Sequence, residues 1–187
     1  MRKFPAMKWR LVEKMTKAGF NSPWTSSAGR LFDAVAAILG LCDVTSYEAQ
    51  AAIRLESIAD TRVTDRYPFV VQTWDRPWVL DFGPTIRAIL TDRRQGVAVS
   101  EISAKFHNTI ADSVVHTCRF VRGQRDLNIV ALSGGVFQNE LLLRRTVEGL
   151  QSRRFRVFTN TAVPLNDGGL ALGQAAVAAE RVKRKCA

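Results

Sequence analysis

The sequence predicts an α/β fold, a mainly helical first half followed by a C-terminal lobe in which strand and helix alternate. Two observations carry this. Leu127, Ile129, Val130, Ala131 and Leu132 form a short apolar run that ends in Ser133-Gly134-Gly135 and leads into a helix. Such a run, bounded by turn residues, fits a strand buried on both faces. Further on, Phe155 to Thr159 forms a second strand, and Asn166-Asp167-Gly168-Gly169 opens a closing helix. Strand, helix, strand, helix in that order implies a parallel pair with a right-handed crossover. The expected organisation is a helical subdomain with a β-hairpin over residues 1–98 and an α/β lobe over 99–187.

The elements follow from the pattern. Residues 1–20 hold Trp9, Val12 and Met15 at helical spacing. Asn21 to Ser27 is a loop whose serines can cap the next helix. That helix runs from about Gly29 to Leu41, with Leu31, Phe32, Val35, Ile38 and Leu39 as its apolar stripe. Asp33 falls about 160° from the centre of the stripe, so it is not a core residue. A carboxylate near a helix N-terminus is favoured by the macrodipole, which accounts for Asp33 structurally; a ligand contact is the sharper reading. Thr45 to Ala59 is expected to be helical, with Thr45 and Glu48 spaced as a capping box. Tyr67 to Trp74 and Trp78 to Phe82 read as a hairpin turned at Asp75-Arg76-Pro77. Gly83-Pro84 starts a helix to about Asp92. A long helix spans roughly Ser100 to Arg122, with Ile102, Phe106, Ile110, Val114 and Cys118 every four residues. His107 and His116 lie about 180° apart on it, so they cannot ligate one ion as a pair. Each is expected to be a partly buried histidine with a hydrogen-bond partner. The helix after the first glycine turn is expected from Phe137 to about Ser152, and the alanine-rich closing helix from Gly168 to about Lys183.

Composition narrows the class. The chain has 187 residues, 47% hydrophobic and 24% charged, the balance of a globular domain. No apolar run is long enough to span a membrane, and the basic N-terminus lacks the apolar core of a secretory signal. Cys42, Cys118 and Cys186 are far apart, which fits reduced thiols in a cytoplasm. The net charge is +10, but the positive residues are scattered and not interleaved with aromatics, which argues against nucleic acid as a partner.

The chemistry concentrates in the two glycine turns. GxSxG, GxxxxGK[ST] and GxGxxG are all absent, which weighs against a hydrolase elbow, a P-loop and a dinucleotide fingerprint. Ser133, Gly134, Gly135 and Asn139 can hold phosphate and ribose oxygens, because a helix N-terminus after a glycine turn favours anions. Asp167 is a short carboxylate in a glycine-rich turn, suited to a metal. Both elements also read as simple tight turns, and the residues alone leave the two readings even.

A series of motifs shifts that balance. Gly29-Arg30-Leu31-Phe32-Asp33-Ala34-Val35, Tyr47-Glu48-Ala49-Gln50-Ala51, Phe106-His107-Asn108, Leu132-Ser133-Gly134-Gly135-Val136-Phe137-Gln138-Asn139 and Pro164-Leu165-Asn166-Asp167-Gly168-Gly169 occur in that order. Together they resemble the C-terminal part of the HypF carbamoyltransferases of nickel–iron hydrogenase maturation, over most of the chain. The resemblance implies part of a TsaD-like transfer domain of the actin/Hsp70-like ATPase, ribonuclease H-like, class. It implies transfer of a carbamoyl group from carbamoyl-adenylate, made from carbamoyl phosphate and ATP, to the C-terminal cysteine of a HypE acceptor. By motif, Asp33 and Glu48 would contact the ribose, Gly134, Gly135 and Asn139 would lie along the nucleotide, and Asp167 would bind a divalent metal (zinc, iron or magnesium). The family's HxxxH metal ligands are absent from this sequence. The expectation is therefore a partial transfer domain (a split-gene product, a truncated piece or a remnant) that works with a complementing N-terminal HypF fragment. The competing expectations are a non-catalytic docking subunit and a relative that carbamoylates a small molecule.

Overall fold

A computed structural model describes residues 5–72 and 77–185. The chain forms two compact units, Met1–Ser57 and Ile58–Ala187. Among the described residues, the first unit holds three helices: α1 (Ala6–Ala18), α2 (Ala28–Ile38) and α3 (Gln50–Ser57). α1 ends at Gly19, whose φ of 65° gives the left-handed cap that only glycine takes without strain. Ser27 caps α2 by accepting from the Arg30 backbone N–H. α2 buries Phe32, Val35 and Ala36 and packs against α3, which buries Ala51 and Leu55.

The expected helix from Thr45 is corrected. Residues 43–49 form bends and turns, and α3 begins only at Gln50. Ala49 takes φ 60°, outside the right-handed helix, so a helix begun at Thr45 could not run through it. The capping box of Thr45 and Glu48 does not form. The Gln50 side chain takes over, its Oε1 accepting from the Ser46 backbone N–H at 2.8 Å.

In the second unit, β1 (Val70–Gln72) pairs antiparallel with β2 (Val79–Asp81), with Val71 opposite Leu80. Most of the turn expected at Asp75-Arg76-Pro77 lies outside the described residues. α4 (Gly83–Arg94) follows with Pro84 in its first turn, and α5 (Val99–Arg125) is the long helix. β3 (Ile129–Leu132) pairs in parallel with β4 (Arg156–Thr159), Val130 opposite Val157, and α6 (Glu140–Gln151) connects them. α7 (Leu170–Lys185) closes the chain. Two single 3-10 turns, Gly135–Gln138 and Asp167–Gly169, precede α6 and α7. The helix expected from Phe137 thus starts at Glu140, because Asn139 stays extended and acts as its cap.

One hydrophobic cluster of the C-terminal lobe is Val115, Leu132, Leu150 and Phe155, with Val114, Cys118, Phe137 and Val157 packed against it. The expectation that β3 is buried on both faces is corrected. Ile129 is 61% exposed and Ala131 is also exposed, while Leu132 is buried. The apolar run encoded a strand, but the cluster contacts one side of this two-stranded sheet.

At Gly149, α6 faces Val115 of α5. A Cβ there would stand 2.8 Å from Val115 Cγ2. Gly149→Ala adds about 1 kcal/mol of helix propensity but overpacks a buried contact, which costs about 1–3 kcal/mol. The expected net result is destabilisation, read as a lower denaturant midpoint; an unchanged or higher midpoint would show that α5 and α6 separate freely.

Candidate nucleotide site

The site is built from the ends of β3 and β4. β3 delivers Ser133, and Gly134 turns the chain with φ 104° and ψ 153°, a conformation essentially restricted to glycine. After β4, the loop 160–166 leads to the second turn. There Asn166 accepts from the Gly168 backbone N–H through its side chain, and a Cβ on Gly169 would lie 2.6 Å from the Pro164 carbonyl oxygen. Both glycines are thus demanded by the backbone path. Ser133, Gly134, Gly135, Asp167 and one face of α7 line a single open groove of about 1080 Å³. It lies at the C-terminal ends of two parallel strands, where open α/β sheets bind ligands.

The structure therefore brings Ser133, Gly134, Gly135 and Asp167 together. Asn139 lies outside the groove lining and is only 8% exposed. Its Oδ1 accepts from the Leu142 backbone N–H at 2.8 Å, and its Nδ2 stands 3.0 Å from His107 Nε2. Asp33 and Glu48 belong to the first unit. Asp33, with its side chain 26% exposed, pairs with Arg30 at 3.1 Å, and Glu48 is exposed in the turn before α3.

Sequence reasoning missed the standing of His107. It was expected to be partly buried, yet it is fully buried. Its Nδ1 lies 2.8 Å from the Ser103 carbonyl, and desolvation pushes its pKa down to about 4 against the partial support of that bond. The signal was its place one residue after Phe106 and one turn beyond Ser103, on the stripe side of α5.

Asp167 is an exposed carboxylate. Among the described residues, no group of three or more His, Cys, Asp or Glu side chains is placed to hold a metal ion. One carboxylate does not satisfy a divalent cation, so these residues do not by themselves fit a resident metal. No helix of the described residues is long and apolar enough to cross a membrane.

Comparison with known proteins defines the class. A family model described as "Carbamoyltransferase, Kae1-like Domain, second subdomain" matches residues 2–174. With its mixed α/β fold, the chain is thus the second part of a Kae1-like domain, an ATPase-like architecture. It belongs to the HypF carbamoyltransferase family, a family of enzymes. It is 38% identical over 184 residues to carbamoyltransferase HypF of Rhodobacter capsulatus, covering 97% of this chain and 23% of that protein. It is 37% identical over 177 residues to a carbamoyltransferase HypF homolog of Cupriavidus necator, covering 92% and 45%. A crystal structure of full-length HypF in the phosphate- and nucleotide-bound form superposes with a TM-score of 0.92 at 38% identity, covering 96% of this chain and 24% of that one. HypF of T. kodakarensis superposes at 0.77 and 25% identity, covering 95% and 23%. The chain spans less than half the length of each of these relatives.

Proposed function

We propose that this chain contributes the nucleotide-facing part of a carbamoyl-transfer site. The donor is carbamoyl-adenylate, formed from ATP and carbamoyl phosphate, and the acceptor is the C-terminal cysteine of a HypE-like protein in the cytoplasm. The observation that carries this reading is the groove that gathers Ser133, Gly134, Gly135 and Asp167. The nucleotide-bound state of the full-length HypF that superposes on the chain supports it.

In this reading the Ser133–Gly135 turn lies along the donor's phosphate, because Gly134 and Gly135 carry no side chain to keep the backbone away. Asn139 ends the same element, and Asp167 supplies the carboxylate of the second turn. The acceptor thiolate attacks the carbamoyl carbon, an S–C bond forms, the bond from that carbon to the phosphate oxygen breaks, and AMP leaves. The thiol proton is lost to solvent before attack. The chain's contribution is orientation of the donor and stabilisation of charge by backbone N–H groups. An N-terminal HypF portion supplies the rest of the transfer site.

Calorimetric titration of the purified chain with ATP, and with a non-hydrolysable carbamoyl-adenylate analogue, tests the reading. Saturable binding that weakens by about tenfold or more in Gly134→Val is expected, a loss of roughly 1.4 kcal/mol. A folded chain that binds neither compound, alone or with an N-terminal HypF fragment added, would overturn the nucleotide assignment and leave a docking role.

A further inference from the structure

We infer that His107 is a positioning residue for the Ser133–Gly135 turn, acting through Asn139 at the start of α6. Its link to a ligand rests on the function proposed above, but the geometry that defines it does not.

The amide of Asn139 is oriented by the bonds at its two ends. Its Oδ1 accepts from the Leu142 backbone N–H at 2.8 Å, as the cap of α6. That bond fixes which end of the amide is oxygen. The other end, Nδ2, is a donor only and points at His107 Nε2 at 3.0 Å. The ring nitrogen facing it must therefore be unprotonated. The remaining nitrogen, Nδ1, then carries the hydrogen and donates to the Ser103 carbonyl at 2.8 Å. A neutral Nδ1–H imidazole satisfies all three contacts. A protonated ring would set an N–H against the Asn139 NH2 in a site closed to water. Burial holds the ring neutral at physiological pH for the same reason.

The turn and its 3-10 segment, Gly134–Gln138, are tied down on one side by β3, which ends at Leu132 in the core. On the other side the segment ends at Asn139, where the extended backbone (φ −71°, ψ 107°) passes into α6. His107 holds Asn139 from the buried side of α5. The pair thus anchors one end of the turn from beneath while its other face stays open to the groove. A histidine with its ring held at both nitrogens supplies a fixed acceptor there, which a flexible side chain would not.

Nitrogen NMR of the ring in the full chain gives the first test. At pH 7, His107 should show the Nδ1–H tautomer, with Nε2 at the shift of an unprotonated nitrogen. The Nε2–H tautomer or an imidazolium would overturn the inference. Amide hydrogen exchange gives the second. His107→Leu should speed exchange at Phe137, Asn139 and Leu142, whose amides are hydrogen-bonded within the turn and its cap, by about tenfold or more relative to Ile89 in α4, a local opening. His107→Gln, which can offer an oxygen to Asn139, should recover most of that protection. Uniform acceleration throughout α5 and α6, or no change at the turn, would reduce His107 to packing and overturn the inference.

Should His107→Leu fail to fold, Asn139→Asp decides. The carboxylate still caps Leu142 but accepts from Nε2–H, so the His107 titration should move up towards or above the ordinary histidine value. An unmoved titration would overturn the inference. ATP affinity should fall in His107→Leu and return in His107→Gln. If the native chain binds no ATP while the tautomer and exchange results hold, the positioning role stands and the nucleotide reading alone fails.

Discussion

Acidification from pH 6.5 to about 4 is expected to remove roughly 3 kcal/mol of stability through His107 alone. The folded pKa is about 4, and the ordinary value is 6.5. Between these limits the unfolded chain binds the proton and the folded chain does not, so stability rises with pH. The contribution is fully present above pH 6.5, declines as pH falls through that value, and is gone below about 4. The ring is fully buried, so solvent screening does not reduce the effect much. Denaturant melts at pH 7, 5.5 and 4 would show it, with His107→Gln as the reference lacking the titrating group. The native chain should lose its advantage over the variant as pH falls. Equal pH slopes in the two proteins would mean that the ring is solvated or already charged in the fold.

Gly134→Val is expected to have the largest effect on the groove. Gly134 adopts φ 104° and ψ 153°, and a branched side chain there costs about 1–3 kcal/mol or forces the turn to rearrange. No neighbouring atom lies within 4 Å of a Cβ built at Gly134, so the penalty is one of backbone conformation and not of space. Gly135 is the natural control. A Cβ there also meets nothing within 4 Å, and its φ is not in the left-handed range. Gly135→Ala should stay within about 0.5 kcal/mol of the native stability. Paired melts of the two variants would separate the cases; similar losses would mean that the turn is set by something other than the conformation of Gly134.

The elements that pattern reading recovered were those with long or repeated signals. α5 was visible because Ile102, Phe106 and Ile110 recur every four residues, and all three are buried. β3 and β4 were visible as short apolar or aromatic runs between turns, and they pair in parallel as their order requires. The miss at Thr45–Ala49 has a plain cause. A capping box is a spacing of two residues, and the spacing says nothing about the backbone between them; Ala49 at φ 60° decided the matter. The exposed face of β3 was missed for a related reason. An apolar run shows that a strand can be covered, while only the packing shows which side is.

The two glycine turns and the motifs around them were set by the amino-acid order, because glycine, asparagine and aspartate act on their own backbone within a few residues. The family followed from the same local signatures, taken in sequence. The gathering of Ser133–Gly135 and Asp167 into one groove belongs to the tertiary structure, since it depends on β3 and β4 lying side by side across a crossover helix. So does the bond between His107 and Asn139, which joins residues 32 positions apart. No local pattern encodes that contact; the packing of α5 against α6 creates it, and with it the buried neutral ring.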